Sequence, residues 1–304
     1  ACRLAWERGG QLAALWASDE RDRDRGYLLR VVLADADGLT VLEQSLPPND
    51  PACPDLSPIF PAANRMQRAA FDLVGVASES DDPRPWLWMA SWPIDRFPLR
   101  RDFEASPKWE PGQEEYPFVR VTGAGVHEIP VGPVHAGIIE PGHFRFQVVG
   151  EKVLRLEERL GWVHKGVEKR FESMSLAEGY RLAGRVSGDS TVAYALAYAQ
   201  AAEAIAGIAV PPRAAWLRAL ALERERIANH LGDLGYLGND GGFAFGLSQF
   251  SRLKEDVLRA NLAAFGHRMM MDFVVPGGVS RDVDPMALRV LADQSLALER
   301  EIRT

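Results

Sequence analysis

Cysteine is almost absent: Cys2 and Cys53 are the only two, and neither belongs to a Cys-x-x-Cys pair. That excludes a disulfide framework, a zinc ribbon and an iron–sulfur cluster held by this chain alone. Sparing use of cysteine also fits a reducing, cytoplasmic compartment. An excess of positive charge is missing too. With 35 Lys and Arg against 42 Asp and Glu, the net charge is −7, so no nucleic-acid partner is expected. The arginines of Arg21–Arg25 alternate with Asp and read as a solvated loop.

Long apolar runs are lacking as well. Residues 191–210 come nearest, but they carry Gln200 and Glu203 and stop at Pro211–Pro212. A bilayer span needs ~20 largely uncharged apolar residues, so this stretch reads as a buried core helix. Arg3, Glu7 and Arg8 interrupt any signal-peptide core. No HExxH, P-loop or GxSxG occurs, and the glycine-rich Gly238–Gly246 lacks the lysine of a phosphate loop. The chain opens at Ala1, and its last helical stretch, from Met286 to Arg303, has no stop signal. A further segment is therefore expected beyond Thr304.

What remains is ordinary globular material, 47% hydrophobic and 25% charged, long enough for about two domains. The first ~130 residues read as a small α+β domain. Tyr27–Ala34 and Thr40–Leu46 alternate as strands around the turn Asp35–Gly38, and a helix is predicted over 62–76. Pro-rich stretches flank that helix, and an acidic loop follows near Glu110–Glu115. From residue 141 to 154 a hairpin is predicted, with Gly150 in its turn. Helical spacing then takes over, beginning with Leu156, Leu160, Val163 and Val167 on one face. Further helices are predicted at 176–185, 191–207, 212–234 and 249–273, with Gly235 and Gly238–Gly242 breaking the long one. The expected fold is an α+β N-terminal domain followed by a mainly α-helical bundle entered through a short β-hairpin.

Three constellations carry candidate chemistry. His135, Glu140, His143 and Arg145 gather near one Gly-rich turn, where they can hold a polar head group or relay protons, or simply decorate a loop. His164 and Glu168 are four apart on a predicted helix face. They read either as a surface pair or as a proton-passing pair with Glu168 raised in pKa by partial burial. Glu223, Arg226 and His230 share one face of a long helix, beside Leu222, Ile227 and Leu231. Partial burial there predicts a polar network, structural or functional.

In chain order these segments resemble one superfamily, that of complex I and the membrane-bound nickel–iron hydrogenases. Residues 27–103 resemble the complex I 30-kDa subunit, through Met66-Gln67-Arg68-Ala69-Ala70-Phe71-Asp72-Leu73-Val74-Gly75 and Pro98-Leu99-Arg100-Arg101-Asp102-Phe103. Gln67 and Ala69 replace that family's usual glutamates. From Gly132 the chain resembles the 49-kDa and hydrogenase large subunits. Gly132-Pro133-Val134-His135 with His143-Phe144-Arg145 is similar to their hairpin, and Gly161–Lys169 to their first helix motif. Glu223, Arg226 and His230 fit the central helix, and Pro276-Gly277-Gly278-Val279 with Arg281-Asp282 the glycine loop. The resemblance implies two domains, 1–128 and 129–304, fused as in formate-hydrogenlyase-type large subunits.

Where hydrogenases of this kind carry Arg-x-Cys-Gly-x-Cys, this chain reads Arg185-Val186-Ser187-Gly188-Asp189-Ser190. Serine hydroxyls are hard and poorly acidic, whereas a nickel–iron centre needs soft thiolates, so no such centre is expected. Ser187 and Ser190, with Asp189, also suit a helix N-cap before Thr191. The second ligand pair would lie beyond Thr304. The resemblance further implies quinone as a cofactor-like acceptor, and an iron–sulfur cluster held by a small partner subunit. It also implies membrane subunits that move ions, and a peripheral place on the inner face of the plasma membrane. His143, His164, Glu168 and Asp189 are the expected catalytic groups, Glu168 for proton transfer. His135, Arg145, Arg185, Ser187 and Ser190 would hold the acceptor. A working nickel–iron hydrogenase and a silent structural subunit are the alternatives.

Overall fold

The computed structural model describes residues 1–88, 92–104, 116–134, 141–160 and 164–303. It divides into two compact units, Ala1–Lys169 and Arg170–Thr304. The fold is mixed α and β, with several small sheets and a helical C-terminal part.

The first unit begins with a short helix, α1 (Cys2–Glu7), and an antiparallel sheet of β1 (Gln11–Asp19), β2 (Tyr27–Asp35) and β3 (Gly38–Leu46). β2 is central, and its apolar run buries Tyr27, Leu28, Leu29, Val31 and Leu33. Strand β4 (Ala52–Cys53) then leads to helix α2 (Ala63–Val74) and to β5 (Ala77–Ser78), which pairs parallel with β4. Ala63, Gln67, Ala70 and Val74 recur every three to four residues and form the buried stripe of α2. It shares a core with Leu15, Leu29, Val31 and Leu33 of the sheet. Gly75 ends the helix at φ +80°, where a side chain would run into the Arg100 guanidinium. Arg100 Nε donates to the Val74 carbonyl at 2.7 Å, so the Pro98–Phe103 motif fastens the end of α2.

A second antiparallel sheet follows, formed by β6 (Val126–Val134), β7 (Gly142–Val149) and β8 (Lys152–Leu160). The short helix α3 (Val167–Phe171) comes next. The second unit carries α4 (Gly179–Ala183), α5 (Thr191–Ala206), α6 (Pro212–Asp240) and α7 (Ala244–Phe265). A two-strand hairpin of β9 (Val274–Val275) and β10 (Gly278–Val279) precedes α8 (Pro285–Arg303). Val192, Ala195, Ala199, Leu217, Ala221, Phe265, Phe273 and Leu291 form its main core.

Several sequence expectations need correction. The first sheet has a third strand, β1, whose alanines and the register shift between Leu12 and Ala14 hide its alternation. The expected hairpin is a three-stranded sheet, because β6 joins it. Leu156 and Leu160 lie in β8, not on a helix. A spacing of four is one helical turn but also two strand repeats, so that pair satisfies both periods. Val163 lies outside the described residues, as do Gly161, Trp162 and the acidic loop at 110–115.

Helix α6 runs through Gly235 and Gly238 to Asp240. A Cβ on Gly235 would stand 3.4 Å from Phe250 Cβ, and one on Gly238 3.3 Å from Leu247 N. Those glycines admit α7 against α6 rather than end the helix. The next helix stops at Phe265, where Gly266 turns left-handed at φ +80°, and not at Phe273. The helix expected at 176–185 is confined to Gly179–Ala183.

Candidate functional site

In the first unit, the register of β7 sets His143 and Arg145 two residues apart, on one face of its sheet. Phe118 lies against both. Its ring centroid is 5.4 Å from the imidazole and 3.9 Å from the Arg145 guanidinium carbon. Arg145 also pairs with Glu128 at 3.3 Å, and Glu128 in turn accepts from the buried Gln147 amide at 2.6 Å. His143 Nδ1 is 3.0 Å from the Gly132 carbonyl. Facing an acceptor, that nitrogen carries the proton, which leaves Nε2 as the ring's basic lone pair. Nε2 is buried with no hydrogen-bond partner among the described residues. An imidazole in this state can accept a proton or a hydrogen bond from a bound group.

His164 precedes α3 rather than lying on it, which corrects the expected shared helix face. The pair still meets: Nε2 is 3.3 Å from the Glu168 carboxylate. Nδ1 accepts the Gly166 N–H at 3.3 Å, so the proton of the neutral ring sits on Nε2. This contact holds the Glu168 carboxyl below the usual carboxylate range, outweighing burial. The raised value expected from burial alone is therefore corrected. His135 lies outside the described residues.

In the second unit, Arg185 grips Asp272 through two parallel hydrogen bonds of 2.8 Å each. Asp272 sits at φ +59°, in the left-handed region that Asp tolerates better than bulkier residues. The Ser187 hydroxyl donates to the Asp189 carboxylate, and Asn229 donates to the Asp189 carbonyl at 2.7 Å. Ser190 occupies the N-cap position of α5 but makes no side-chain cap hydrogen bond. The cap comes from elsewhere. Glu225 of α6 accepts the N–H groups of Val192 at 2.6 Å and Ala193 at 3.0 Å.

Glu223 and Arg226 pair at 3.0 Å on the exposed face of α6, where His230 is exposed too. The buried polar groups of that helix are Arg218, Arg224 and Glu225. The expected buried network is therefore absent at Glu223, Arg226 and His230, and the buried groups reach separate partners on α5, on α7 and α8, and in the β9–β10 hairpin. Ala221, Ala228 and Gly232 stand at i−4, i+3 and i+7 from Glu225. That small-residue stripe was the available sign that Glu225 faces inward. Nothing in the sequence marked Asp272, which depends on a fold-back 87 residues beyond Arg185.

Residues 2–108 match the family described as the respiratory-chain NADH dehydrogenase, 30 Kd subunit. Formate hydrogenlyase subunit 5 of Escherichia coli (strain K12) is 33% identical over 312 residues, covering 99% of this chain and 54% of that protein. Residues 2–108 thus carry that family's domain, and the whole chain is homologous to subunits of membrane-bound hydrogenase and complex I-like assemblies. Among these relatives, the C/D 2 protein of the NADH-quinone oxidoreductase of Aquifex aeolicus (strain VF5) is 25% identical over 275 residues, 80% of this chain and 46% of that one. A solved archaeal respiratory complex, the membrane-bound sulfane sulfur reductase, has a chain alike at a TM-score of 0.52 and 25% identity. The likeness covers 59% of this chain and 48% of that one. The chain spans about half the length of the curated relatives it matches.

The serines do not fit the nickel–iron centre that the resemblance brings into question. Ser187 spends its hydroxyl on Asp189, and a neutral hydroxyl is a poor ligand where soft thiolates are required. No described helix is long and apolar enough to cross a membrane.

Proposed function

We propose that this chain is a peripheral component of a membrane-bound, complex I-like oxidoreductase, in which a quinone or similar two-electron acceptor takes the place of a nickel–iron centre. The observation that carries this reading is the pair Ser187 and Ser190, two hydroxyls where the hydrogenase motif has thiolates. The Nε2 of His143, without a partner among the described residues, supports it, because a reduced quinone head group donates hydrogen bonds to such a lone pair. In the first unit His143, Arg145, His164 and Glu168, with His135, are assigned to the acceptor and its protons by resemblance. In the second unit the resemblance assigns Arg185, Ser187, Asp189 and Ser190. The domain boundary is placed at residues 128/129 on the same resemblance.

Electrons arrive from an iron–sulfur cluster in a small partner subunit, and membrane subunits link the reaction to ion movement. The test is nickel content per chain in the complete complex, purified from native membranes. Background nickel is expected, and stoichiometric nickel would overturn the reading.

A further inference from the structure

We propose that Glu225 is a proton-exchanging positioning residue that sets the turn carrying Ser187, Asp189 and Ser190. The inference rests on the functional reading above only for its consequence, since that turn is assigned there to the acceptor. Its physical basis is separate. Helix α5 has 16 residues, and its first-turn N–H groups need an acceptor that its own N-cap side chain does not supply. Glu225 supplies it from the neighbouring helix, through two hydrogen bonds to successive amides. A carboxylate at a helix N-terminus is stabilised by those amides and by the helix dipole.

Two features make that carboxylate exchangeable rather than permanently charged. It is buried, and burial pushes its pKa up against the amide hydrogen bonds that pull it down. The Asp189 carboxylate, in the turn just before α5, pushes the same way. Among the described residues no cation forms an ion pair with Glu225. Arg185 is held by Asp272, Arg226 by Glu223, and Arg224 by Asn261 and Gln294. When one Glu225 oxygen takes a proton from solvent, an acceptor becomes an O–H donor, and the amide it held loses its partner. The first turn then has to rearrange. It has slack to do so: the Thr191 hydroxyl, in the same turn and only 1% exposed as a residue, is buried without a hydrogen-bond partner. It faces Gly184, where a side chain would come within 2.9 Å of it. Glu225 acts through the turn and is not itself a catalytic residue.

The test is hydrogen exchange of the peptide covering residues 187–195, followed against pH on the full-length protein in its native assembly. Protection corrected for intrinsic exchange should fall by up to about tenfold per pH unit below the Glu225 midpoint, the limit for one proton. Glu225→Gln, which keeps one acceptor oxygen but cannot ionise, should give a pH-independent profile and remove one carboxyl band from the infrared titration. Corrected protection that ignores pH in the wild type, or an unchanged profile in Glu225→Gln, overturns the proposal. Should that variant fail to accumulate, Glu225→Asp carries the test, and an unmoved midpoint overturns it. None of these readouts depends on nickel or on turnover, so they can fail while the functional reading stands, and the reverse.

Discussion

Arg218 of α6 and Glu203 of α5 form a buried ion pair, 2.5 Å at its closest, that also clasps the glycine hairpin between β9 and β10. Arg218 donates to the carbonyls of Val275 and Gly278 at 2.6 and 2.9 Å, and Glu203 accepts the Gly277 N–H at 2.7 Å. Both partners are tied to each other and to the same hairpin, so removing either strands a buried charge. Arg218→Ala should lower stability by about 3–5 kcal/mol, read by urea unfolding. Replacing both partners together should cost less than the sum of the single changes. Strict additivity would mean the pair is not coupled.

Asp72 predicts a pH effect in the first unit. Its Oδ2 accepts the backbone N–H of Trp86 at 2.7 Å and of Leu87 at 2.6 Å, while Oδ1 is buried without a partner. Burial raises its pKa despite those amides. The folded state therefore binds this proton more tightly than the unfolded state does. Stability should fall as pH climbs from the unfolded carboxylate value to the raised folded one. Asp72→Asn should flatten that slope, and Asp72→Ala should cost about 1–2 kcal/mol by removing the acceptor of the Trp86 and Leu87 amides. Tryptophan fluorescence, sensitive to Trp86 and Trp88, follows both.

Arg224 is a buried cation with neutral partners. It is 3% exposed, and its guanidinium donates to Asn261, to the Val257 carbonyl at 3.2 Å and to Gln294 at 2.8 Å. Burial alone draws its pKa down to about 10. Arg224→Ala should destabilise by about 2–4 kcal/mol through the void and the unpaired acceptors. Arg224→Met refills the space but leaves the same acceptors unpaired, so it should recover only the void part of that loss, by about 1 kcal/mol or more. Equal losses in the two variants would show that the hydrogen bonds, and not the void, set the cost.

Glu168 separates an active role for this chain from a silent one. The pair with His164 favours the ionised carboxylate, so the contact is present above the ordinary carboxylate pKa and is lost as pH falls through the lowered folded value. Glu168→Gln should cut electron-transfer turnover by about 10²-fold, within the range for losing an acid–base group, while the complex still assembles. His143→Ala should act in the same direction. Turnover at the wild-type rate in both variants would favour the structural role.

The chain's periodicities sufficed for β2, β3, β7, α2 and α5, because long patterns of one period leave no competing reading. They failed where a pattern was short or double-valued, as at Leu156 and Leu160. Gly235 and Gly238 failed for a related reason. Glycine marks both a helix end and a close helix crossing, and only the presence of α7 decides which. The family motifs likewise lay open in the order of residues, including the loss of both thiols at Ser187 and Ser190.

What the sequence by itself determined is therefore the order of the family motifs, the longer elements and the replacement of two thiols by the hydroxyls of Ser187 and Ser190. Tertiary structure alone decided which polar groups are paired and which are buried. Glu223 and Glu225 are two residues apart on one helix, yet one sits in solvent and the other caps α5. Arg185 finds Asp272, and Glu168 is shifted down rather than up. Each outcome depends on the distance and direction of a partner from another part of the chain. Electrostatics and hydrogen bonding respond to that geometry, which is set only when the elements pack.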